Sequence, residues 1–295
     1  MTGPQAAMLG DGRRLHLQHG PIDLIVEAFG ADAEVSRAYG QAVERFRTVL
    51  TGLVEELPRL RTACPPEGLG LEGPVARRME AAVRPFADTH FVTPMAAVAG
   101  SVAEEVLAAL VRDRTLRRAY VNNGGDIAIH LGDGERFEIG LVADPRLAAL
   151  AGSARIAAAD PVRGIATSGR HGRSLSLGIA DAVTVLAERA SMADTAATLI
   201  ANAVDLPGHP AIARVPASEI DPDSDLGDRP VTADIGALPQ SDIATALDRG
   251  AALAEHMRTR GLIHGAALML CGEVCLCGLD RPSLPVHQSE RLVHA

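Results

Sequence analysis

Lysine is absent from this 295-residue chain, so all 28 of its basic residues are arginines. This absence excludes three kinds of site: a phosphate-binding loop that relies on lysine, a Schiff base formed by a lysine amine, and a lysine general base. Any fixed positive charge at a functional site must therefore come from arginine, histidine, a metal ion or a helix N-terminus.

Aromatic side chains are also scarce, at 2% of the residues with no tryptophan, and the formal net charge is −9. Single-stranded nucleic acids are bound by aromatic stacking, and nucleic acids in general need a basic surface. We therefore predict a small-molecule ligand and no nucleic-acid partner. The oligomeric state stays open, and a homodimer is compatible with the sequence.

Long hydrophobic runs are missing too, since no run approaches the roughly 18 residues of a membrane span. The N-terminal segment lacks the apolar core of a signal peptide. We expect a cytoplasmic protein without a membrane partner, in which the four cysteines stay reduced. A hairpin over 268–277, turning on Gly272 and Glu273, would keep the last three thiols from converging on a metal, which favours buried core cysteines.

Helical and strand patterns occupy separate stretches of the chain. Apolar residues recur with a helical period, and capping and turn residues mark the ends of the segments. We predict helices over 32–57, 75–86, 94–112, 191–204 and 241–260, strands over 15–18, 22–29, 118–122, 126–131, 137–142, 156–159, 164–167 and 182–187, and an irregular acidic region over 207–239. Such segregation indicates an α+β fold of antiparallel sheets flanked by helices. We treat residues 1–295 as one domain that could have two lobes, about 1–115 and 116–295.

The first motif is Asn122-Asn123-Gly124-Gly125-Asp126. Glycines allow a ligand to approach the backbone, and the amide side chains supply hydrogen-bond donors and acceptors. Asn-Gly is also a strong hairpin signal, so a simple turn is the alternative interpretation.

The second motif is Thr167-Ser168-Gly169, followed by a basic cluster of Arg170, His171 and Arg173. Hydroxyls, N–H groups next to glycine and guanidinium groups suit a phosphate. A solvated basic loop is the alternative. His171 is the candidate general base within this motif.

The third motif places Asp194 and Thr198 four residues apart on a predicted helix, where both face one side and could offer oxygens to Mg²⁺. In the alternative interpretation, Ser191 is the N-cap of this helix and Asp194 completes a capping box. A further acidic loop, 221–228, departs from the calcium-binding pattern at its sixth and twelfth positions. We interpret it as a solvated turn, with the binding of a cation as the alternative.

Taken together and in this order, the motifs resemble the ApbE-like superfamily, whose best-known members use Mg²⁺ to split FAD and attach FMN to a protein hydroxyl. The resemblance covers about residues 91–204 and also includes the apolar segment 94–100. It implies a T-fold-related, two-lobed α+β fold with FAD or a related nucleotide as the ligand. It further implies a Mg²⁺ ion held by Asp194, Thr198 and the backbone carbonyl of Ala99. Nucleotide-binding residues would be Asn122, Asn123, Gly124, Gly125, Asp126, Thr167, Ser168, Gly169 and Arg170.

The chain also departs from the flavin transferases. Residues 174–181 replace their segment rich in His, Asp and Pro, Gly100 stands where their helix has lysine, and Glu104 and Glu105 lie near the position of a helix aspartate. The N-terminal segment shows no pattern like their secretion signal, so the chain resembles the cytoplasmic branch of the superfamily, and we expect a cytoplasmic protein. We therefore expect FMN or phosphoryl transfer or FAD hydrolysis, with non-catalytic nucleotide binding, or action on another heterocycle such as a pterin, as alternatives.

Overall fold

The computed structural model describes residues 3–144, 149–279 and 293–294. Its strands are β1 (Gln5–Met8), β2 (Leu15–His19), β3 (Ile22–Gly30), β4 (Leu116–Asn123), β5 (Asp126–Leu131), β6 (Arg136–Asp144), β7 (Ala149–Ala157), β8 (Gly164–Ser168), β9 (Ala182–Ala187), β10 (Ile212–Pro216), β11 (Pro230–Ile235), β12 (Gly265–Leu270), β13 (Glu273–Cys277) and β14 (Val293–His294).

Its α-helices are α1 (Asp32–Phe46), α2 (Val49–Glu55), α3 (Leu57–Leu60), α4 (Pro74–Val83), α5 (Val98–Val111), α6 (Ala190–Ala203), α7 (Ala217–Ile220) and α8 (Gln240–Thr259). Short 3₁₀ turns follow α4, at Arg84–Phe86, and precede α5, at Pro94–Ala97. Thr93 is the N-cap of the turn before α5, because its hydroxyl accepts a hydrogen bond from the Met95 N–H at 3.2 Å.

Nine strands in the described part of the chain form one sheet in the order β1-β2-β3-β4-β5-β8-β9-β12-β13. Every neighbouring pair is antiparallel, so the predicted α+β class is confirmed. β6 and β7 pair separately and β14 adds to β6, whereas β10 pairs with β11. The sheet includes strands from both sides of residue 115; the division into lobes stays a prediction.

The two faces of the sheet are covered differently. On one face, side chains such as Leu24 and Val185 pack against the helices in the main core. On the other, Ile127 and Ile165 pack with Phe137 of β6 in a smaller core. Strand residues alternate between the faces, so neighbouring residues in one turn serve opposite sides of the sheet.

The first turn of α6 lies between α5 and β8, and glycines make this close approach feasible. A Cβ atom at Gly100 would lie 2.3 Å from the carbonyl oxygen of Ala190, and one at Gly164 would lie 2.1 Å from the Ala190 nitrogen. Neither distance is compatible with a side chain, so both contacts are between backbones.

The segment Pro94–Val111 corrects one expectation. It is 18 residues long with a mean hydropathy of 1.5, which by length and composition alone is enough to cross a membrane. More than half of this segment is buried within the protein, and its apolar residues belong to the main core. The same apolar composition is thus used here for packing between helices and sheet.

The single helix predicted over 32–57 is wrong, because the chain divides there into α1, α2 and the start of α3. Pro58 lies in the first turn of α3, and the Glu56 carboxylate accepts hydrogen bonds from the N–H groups of Glu72 and Gly73 at 2.9 and 2.7 Å. The irregular region predicted over 207–239 is also wrong, since β10, α7 and β11 lie in it. Pro216 and Pro230 stand at strand ends, where proline is tolerated but hides the strand pattern.

The C-terminal hairpin turns one residue earlier than predicted. Leu270 pairs with Glu273, and Cys271 and Gly272 occupy the turn with φ of 51° and 85°. Both angles are positive, as in a type I′ turn. Cys277 is buried, but Cys271 is exposed, so the expectation of buried cysteines is wrong for Cys271.

Candidate functional site

The Asn-Gly-Gly-Asp motif is the turn that joins β4 to β5, so the hairpin interpretation is confirmed. Gly124 and Gly125 have φ of 67° and 112°, conformations that favour glycine. The Gly125 N–H donates to the Asn122 side chain at 2.9 Å. Because residues alternate along β4, Asn122 and Asn123 serve opposite faces of the sheet, and the motif contributes to two separate groups of residues.

On the helical face, the motif contacts the starts of α5 and α6. Asn123 donates from its amide to the carbonyl oxygen of Ala99 at 3.1 Å, and the Asp194 carboxylate accepts from the Gly100 N–H at 2.9 Å. Asp126 pairs with Asn123 across the hairpin and accepts from the Thr167 N–H at 3.3 Å. Four segments distant in sequence thus meet around two carboxylates.

Both carboxylates hold protons more tightly than usual. Burial raises the pKa of Asp126 well above its ordinary value, and the neighbouring Asp194 charge raises this pKa further. Burial also raises the pKa of Asp194 to about 7, against the opposing effect of the Gly100 and Ala99 N–H groups. Neither carboxylate forms a salt bridge within the residues that the structure describes. This pair therefore lacks a compensating positive charge.

The oxygen atoms around this pair fit a hard divalent cation. Carboxylates and a backbone carbonyl are ligand types that Mg²⁺ takes, and Thr198, one turn after Asp194 on α6, carries a further oxygen on the same side of that helix. The Ala99 carbonyl keeps a second lone pair beside its bond from Asn123. Within 3–144 and 149–279, no group of three or more His, Cys, Asp or Glu side chains converges. The donor set thus suits an ion that retains waters or substrate oxygens as further ligands.

The capping-box interpretation of Ser191 and Asp194 is wrong. Helix α6 begins at Ala190, and its N-cap, Arg189, makes no side-chain capping bond. Both the N–H and the hydroxyl of Ser191 donate to Glu104 at 2.8 Å. Asp194 instead accepts from a different helix, which leaves its carboxylate beside Asp126.

Glu104 and Glu105 belong to an ion-pair network and not to the carboxylate pair. Arg78 lies 3.3 Å from Glu104 and 2.9 Å from Glu105, and Arg45 lies 2.8 Å from Glu105. The arginines lower the pKa of Glu105 despite its burial. These glutamates therefore tie α5 to α1, α4 and α6.

On the opposite face of the sheet lies a cleft of about 470 Å³, a volume in the range of small-molecule sites. Asn122 and Ile25, which are paired between β3 and β4, line its floor. Gly124 and Gly125 line one edge, and Thr167-Ser168-Gly169 with the loop to Arg173 forms a wall. The first and second sequence motifs are thus brought together in one cleft, with Asp126 directly behind their shared wall.

The guanidinium of Arg170, predicted to meet phosphate, is bound to Asp181. Its Nε donates to the Asp181 carboxylate at 2.8 Å, and a terminal nitrogen lies 2.6 Å away. His171 lies 3.2 Å from the same carboxylate oxygen, and the Cys271 N–H donates to the other oxygen at 2.5 Å. Asp181 therefore fixes the loop against the β12–β13 hairpin. Of the two arginines, Arg173 is the one that lines the cleft.

Sequence reasoning missed the parts that Asp23 and Asp181 play in the cleft. Asp181 carries a weak signal, since a carboxylate follows a cluster of basic residues by about ten positions. Asp23 carries none, because it enters the cleft only through the pairing of β3 with β4.

The acidic loop 221–228 docks on the segment that leads into α5. The buried Thr93 hydroxyl donates to Asp225, and the Arg229 guanidinium stacks on the Phe91 ring at 3.4 Å from its centroid. The acidic side chains of this loop do not converge as calcium ligands in the described structure. Asp225 is therefore committed to the segment that leads into α5.

Comparisons with known proteins identify the family. A family model described as AbpE bacteria matches residues 6–276. A UPF0280 protein of Methanopyrus kandleri is 39% identical over 183 residues, which cover 61% of this chain and 69% of that protein. Another, from Methanosarcina acetivorans, is 34% identical over 143 residues, covering 45% of this chain and 49% of that protein. The chain thus spans about two thirds of the first relative and about half of the second.

Two solved structures are similar over most of the chain. The apo flavinyl transferase ApbE of Pseudomonas stutzeri is 12% identical with a TM-score of 0.39, covering 94% of this chain and 95% of that one. A mutant of the flavin transferase ApbE from Vibrio cholerae is 13% identical with a TM-score of 0.36, covering 93% and 97%. On the strength of the family match over residues 6–276, the chain belongs to the AbpE bacteria family and is a member of the ApbE-like superfamily.

Proposed function

We propose that this protein is a Mg²⁺-dependent enzyme that binds a flavin or another phosphate-containing nucleotide and acts on its phosphate group. The observation that carries the proposal is the pair of Asp126 and Asp194, which has no salt-bridge partner in the described structure; Asp126 accepts a hydrogen bond from the N–H of Thr167, a residue that lines the cleft. A divalent cation supplies the charge that this pair lacks. The remaining ligands of such an ion would be waters or oxygens of a substrate.

The proposed metal ligands are Asp194, Thr198 and the Ala99 carbonyl, and Asp126 adds charge behind them. When bound, the ion would neutralise charge that develops on a bridging phosphate oxygen. Gly100 and Asn123 act on the ligands themselves, because the N–H of the first orients the Asp194 carboxylate and the amide of the second orients the Ala99 carbonyl.

The proposed nucleotide contacts lie in the cleft. Thr167, Ser168 and Gly169 offer hydroxyl and N–H donors, and the Asn122–Asp126 turn provides close backbone approach. Arg173 replaces Arg170 as the proposed phosphate contact, since Arg170 is bound to Asp181. His171, oriented by Asp181, is the residue in the cleft that could accept a proton.

The test is to incubate the purified protein with FAD, with and without MgCl₂, and to separate FAD, FMN and AMP by chromatography. We expect Mg²⁺-dependent formation of AMP that is lost in Asp194→Ala and retained in Asp133→Ala, where the aspartate is exposed on the β5–β6 loop. Activity that is unaffected by EDTA or by Asp194→Ala would contradict the metal assignment.

A nucleotide-binding protein without catalytic activity is the second candidate. It is favoured by the commitment of both Arg170 and His171 to Asp181, which leaves few groups for proton transfer. Equilibrium dialysis with FAD, FMN and a pterin separates the candidates. Tight binding without any turnover supports this second function, and preference for the pterin supports a different heterocycle in the same cleft.

A further inference from the structure

Two residues of opposite charge flank the same glycine at the rim of the cleft. The pairing of β3 with β4 ends at Leu24 and Asn123, and the next residue on each side of this pair, Asp23 and Gly124, lines the cleft. From the other side, the guanidinium carbon of Arg173 lies 3.9 Å from the position that a Cβ atom on Gly124 would occupy. Both side chains line the cleft.

The two charged side chains do not pair with each other. No salt bridge within 4.0 Å joins them, and Arg173 has no carboxylate partner among the residues that the structure describes. Asp23 makes one contact, from its Oδ1 to His16 Nε2 at 3.1 Å, and its side chain remains 40% exposed. Its second carboxylate oxygen is without a partner in the same part of the chain. The rim thus offers one cation and one hydrogen-bond acceptor to a bound molecule.

The chemistry of the two groups defines what they recognise together. A guanidinium binds a phosphate through two parallel N–H donors. A carboxylate accepts hydrogen bonds from sugar hydroxyls, as acidic residues do from ribose in nucleotide sites. Because both groups border one glycine, their targets must lie close together in the ligand. A phosphate attached to a short polyhydroxylated carbon chain meets that condition.

We propose that Asp23 and Arg173 at the rim bind the polyol phosphate portion of the ligand, a ribose phosphate or ribityl phosphate. Arg173 binds the phosphate, and Asp23 accepts hydrogen bonds from the hydroxyls. This rests on the proposed function for the choice of the cleft as the nucleotide site. Asp23 and Arg173 are then the residues that distinguish a phosphorylated ligand from its free sugar form. The apolar Ile25, two residues along β3, is left to contact the heterocyclic ring.

The test is titration calorimetry with four probes: FMN, riboflavin, ribose 5-phosphate and inorganic phosphate. The variants are Asp23→Asn and Arg173→Gln, with Asp133→Asn and Arg112→Gln as exposed controls of matched chemistry. Arg173→Gln is expected to weaken the binding of FMN and of ribose 5-phosphate at least tenfold and to leave the affinity for riboflavin unchanged. Asp23→Asn is expected to weaken the binding of FMN, riboflavin and ribose 5-phosphate about fivefold and to leave the affinity for inorganic phosphate unchanged.

The outcomes separate this inference from the proposed function. Mg²⁺-dependent cleavage of FAD with unchanged binding of all four probes in both variants overturns the inference and keeps the function. Ribose 5-phosphate binding with the expected pattern, but no flavin binding, keeps the inference and overturns the flavin assignment. Failure of the wild-type protein to bind any of the probes overturns both. Both residues are at the surface of the cleft, so thermal melting of each variant is expected to match the wild type.

Discussion

Replacing Asp194 with asparagine should make the metal-free protein more stable at alkaline pH. Burial raises the pKa of this carboxyl from 3.8 to about 7, so ionising it in the folded protein is unfavourable. At roughly 1.4 kcal/mol per pH unit, this difference corresponds to a destabilisation of up to about 4 kcal/mol above pH 7. Asparagine keeps an oxygen that can accept the Gly100 N–H but carries no charge.

The pH dependence follows from the same difference. In the unfolded chain the carboxyl loses its proton near pH 3.8, whereas the folded protein keeps it up to about pH 7. The folded state therefore binds more protons between these values, and the contribution of Asp194 to the free energy of unfolding falls as pH rises through this window. Above pH 7 this contribution is constant. The decline should be smaller in Asp194→Asn.

Urea denaturation in EDTA at pH 5 and pH 8 measures both effects, with Asp133→Asn as the exposed control. Adding MgCl₂ at pH 8 should stabilise the wild type, by about 2.7 kcal/mol at one hundred times the dissociation constant, and should not stabilise Asp194→Asn. The reasoning is refuted if Asp194→Asn is less stable than the wild type at pH 8 without metal, or if its stability still rises with Mg²⁺ as in the wild type.

Two further substitutions probe the supports of the carboxylate pair. Gly100→Ala should cost about 1–3 kcal/mol in urea denaturation, because its Cβ would lie 2.3 Å from a backbone oxygen, whereas Gly52→Ala in α2 meets open space and should stabilise by up to about 1 kcal/mol. Equal effects of the two would contradict the packing argument. Asp225→Asn should cost about 1–2 kcal/mol by weakening the bond from the buried Thr93 hydroxyl, and should also reduce the stabilisation by Mg²⁺, while the exposed Asp223→Asn should do neither.

The local elements were largely predictable from sequence. The bounds of β5 and β9 agree with the predicted segments 126–131 and 182–187, because uninterrupted β-branched and apolar residues end at clear turn signals. The division of the predicted helix at 32–57 was not predictable, since its apolar period continues across the break. The break is accompanied by hydrogen bonds from the N–H groups of residues 72 and 73 to the Glu56 carboxylate, and no local sequence pattern reveals these contacts.

The candidate site shows the same limit. The motifs assigned Asp126 to nucleotide binding and Asp194 to the metal, and the structure places these two carboxylates next to each other. Their placement on the opposite face of the sheet from Thr167 and His171 depends on strand alternation within a single turn. The competition of Asp181 for Arg170 depends on folding of the loop against a distant hairpin. Spacing along the chain records neither.

The backbone contacts of Ala190 with Gly100 and Gly164 have a consequence for the ion selectivity of the proposed metal site. Mg²⁺ and Ca²⁺ differ by about 0.3 Å in their preferred distances to oxygen, so discrimination requires a nearly fixed separation between ligands. Here the separation between the proposed metal ligands on α5 and on α6 is set by contacts between main chains, which changes of side-chain rotamer cannot adjust. Substitutions elsewhere in the core should then leave this separation unchanged. A single methyl group added at either glycine would act as a spacer, and would favour the larger ion over the smaller.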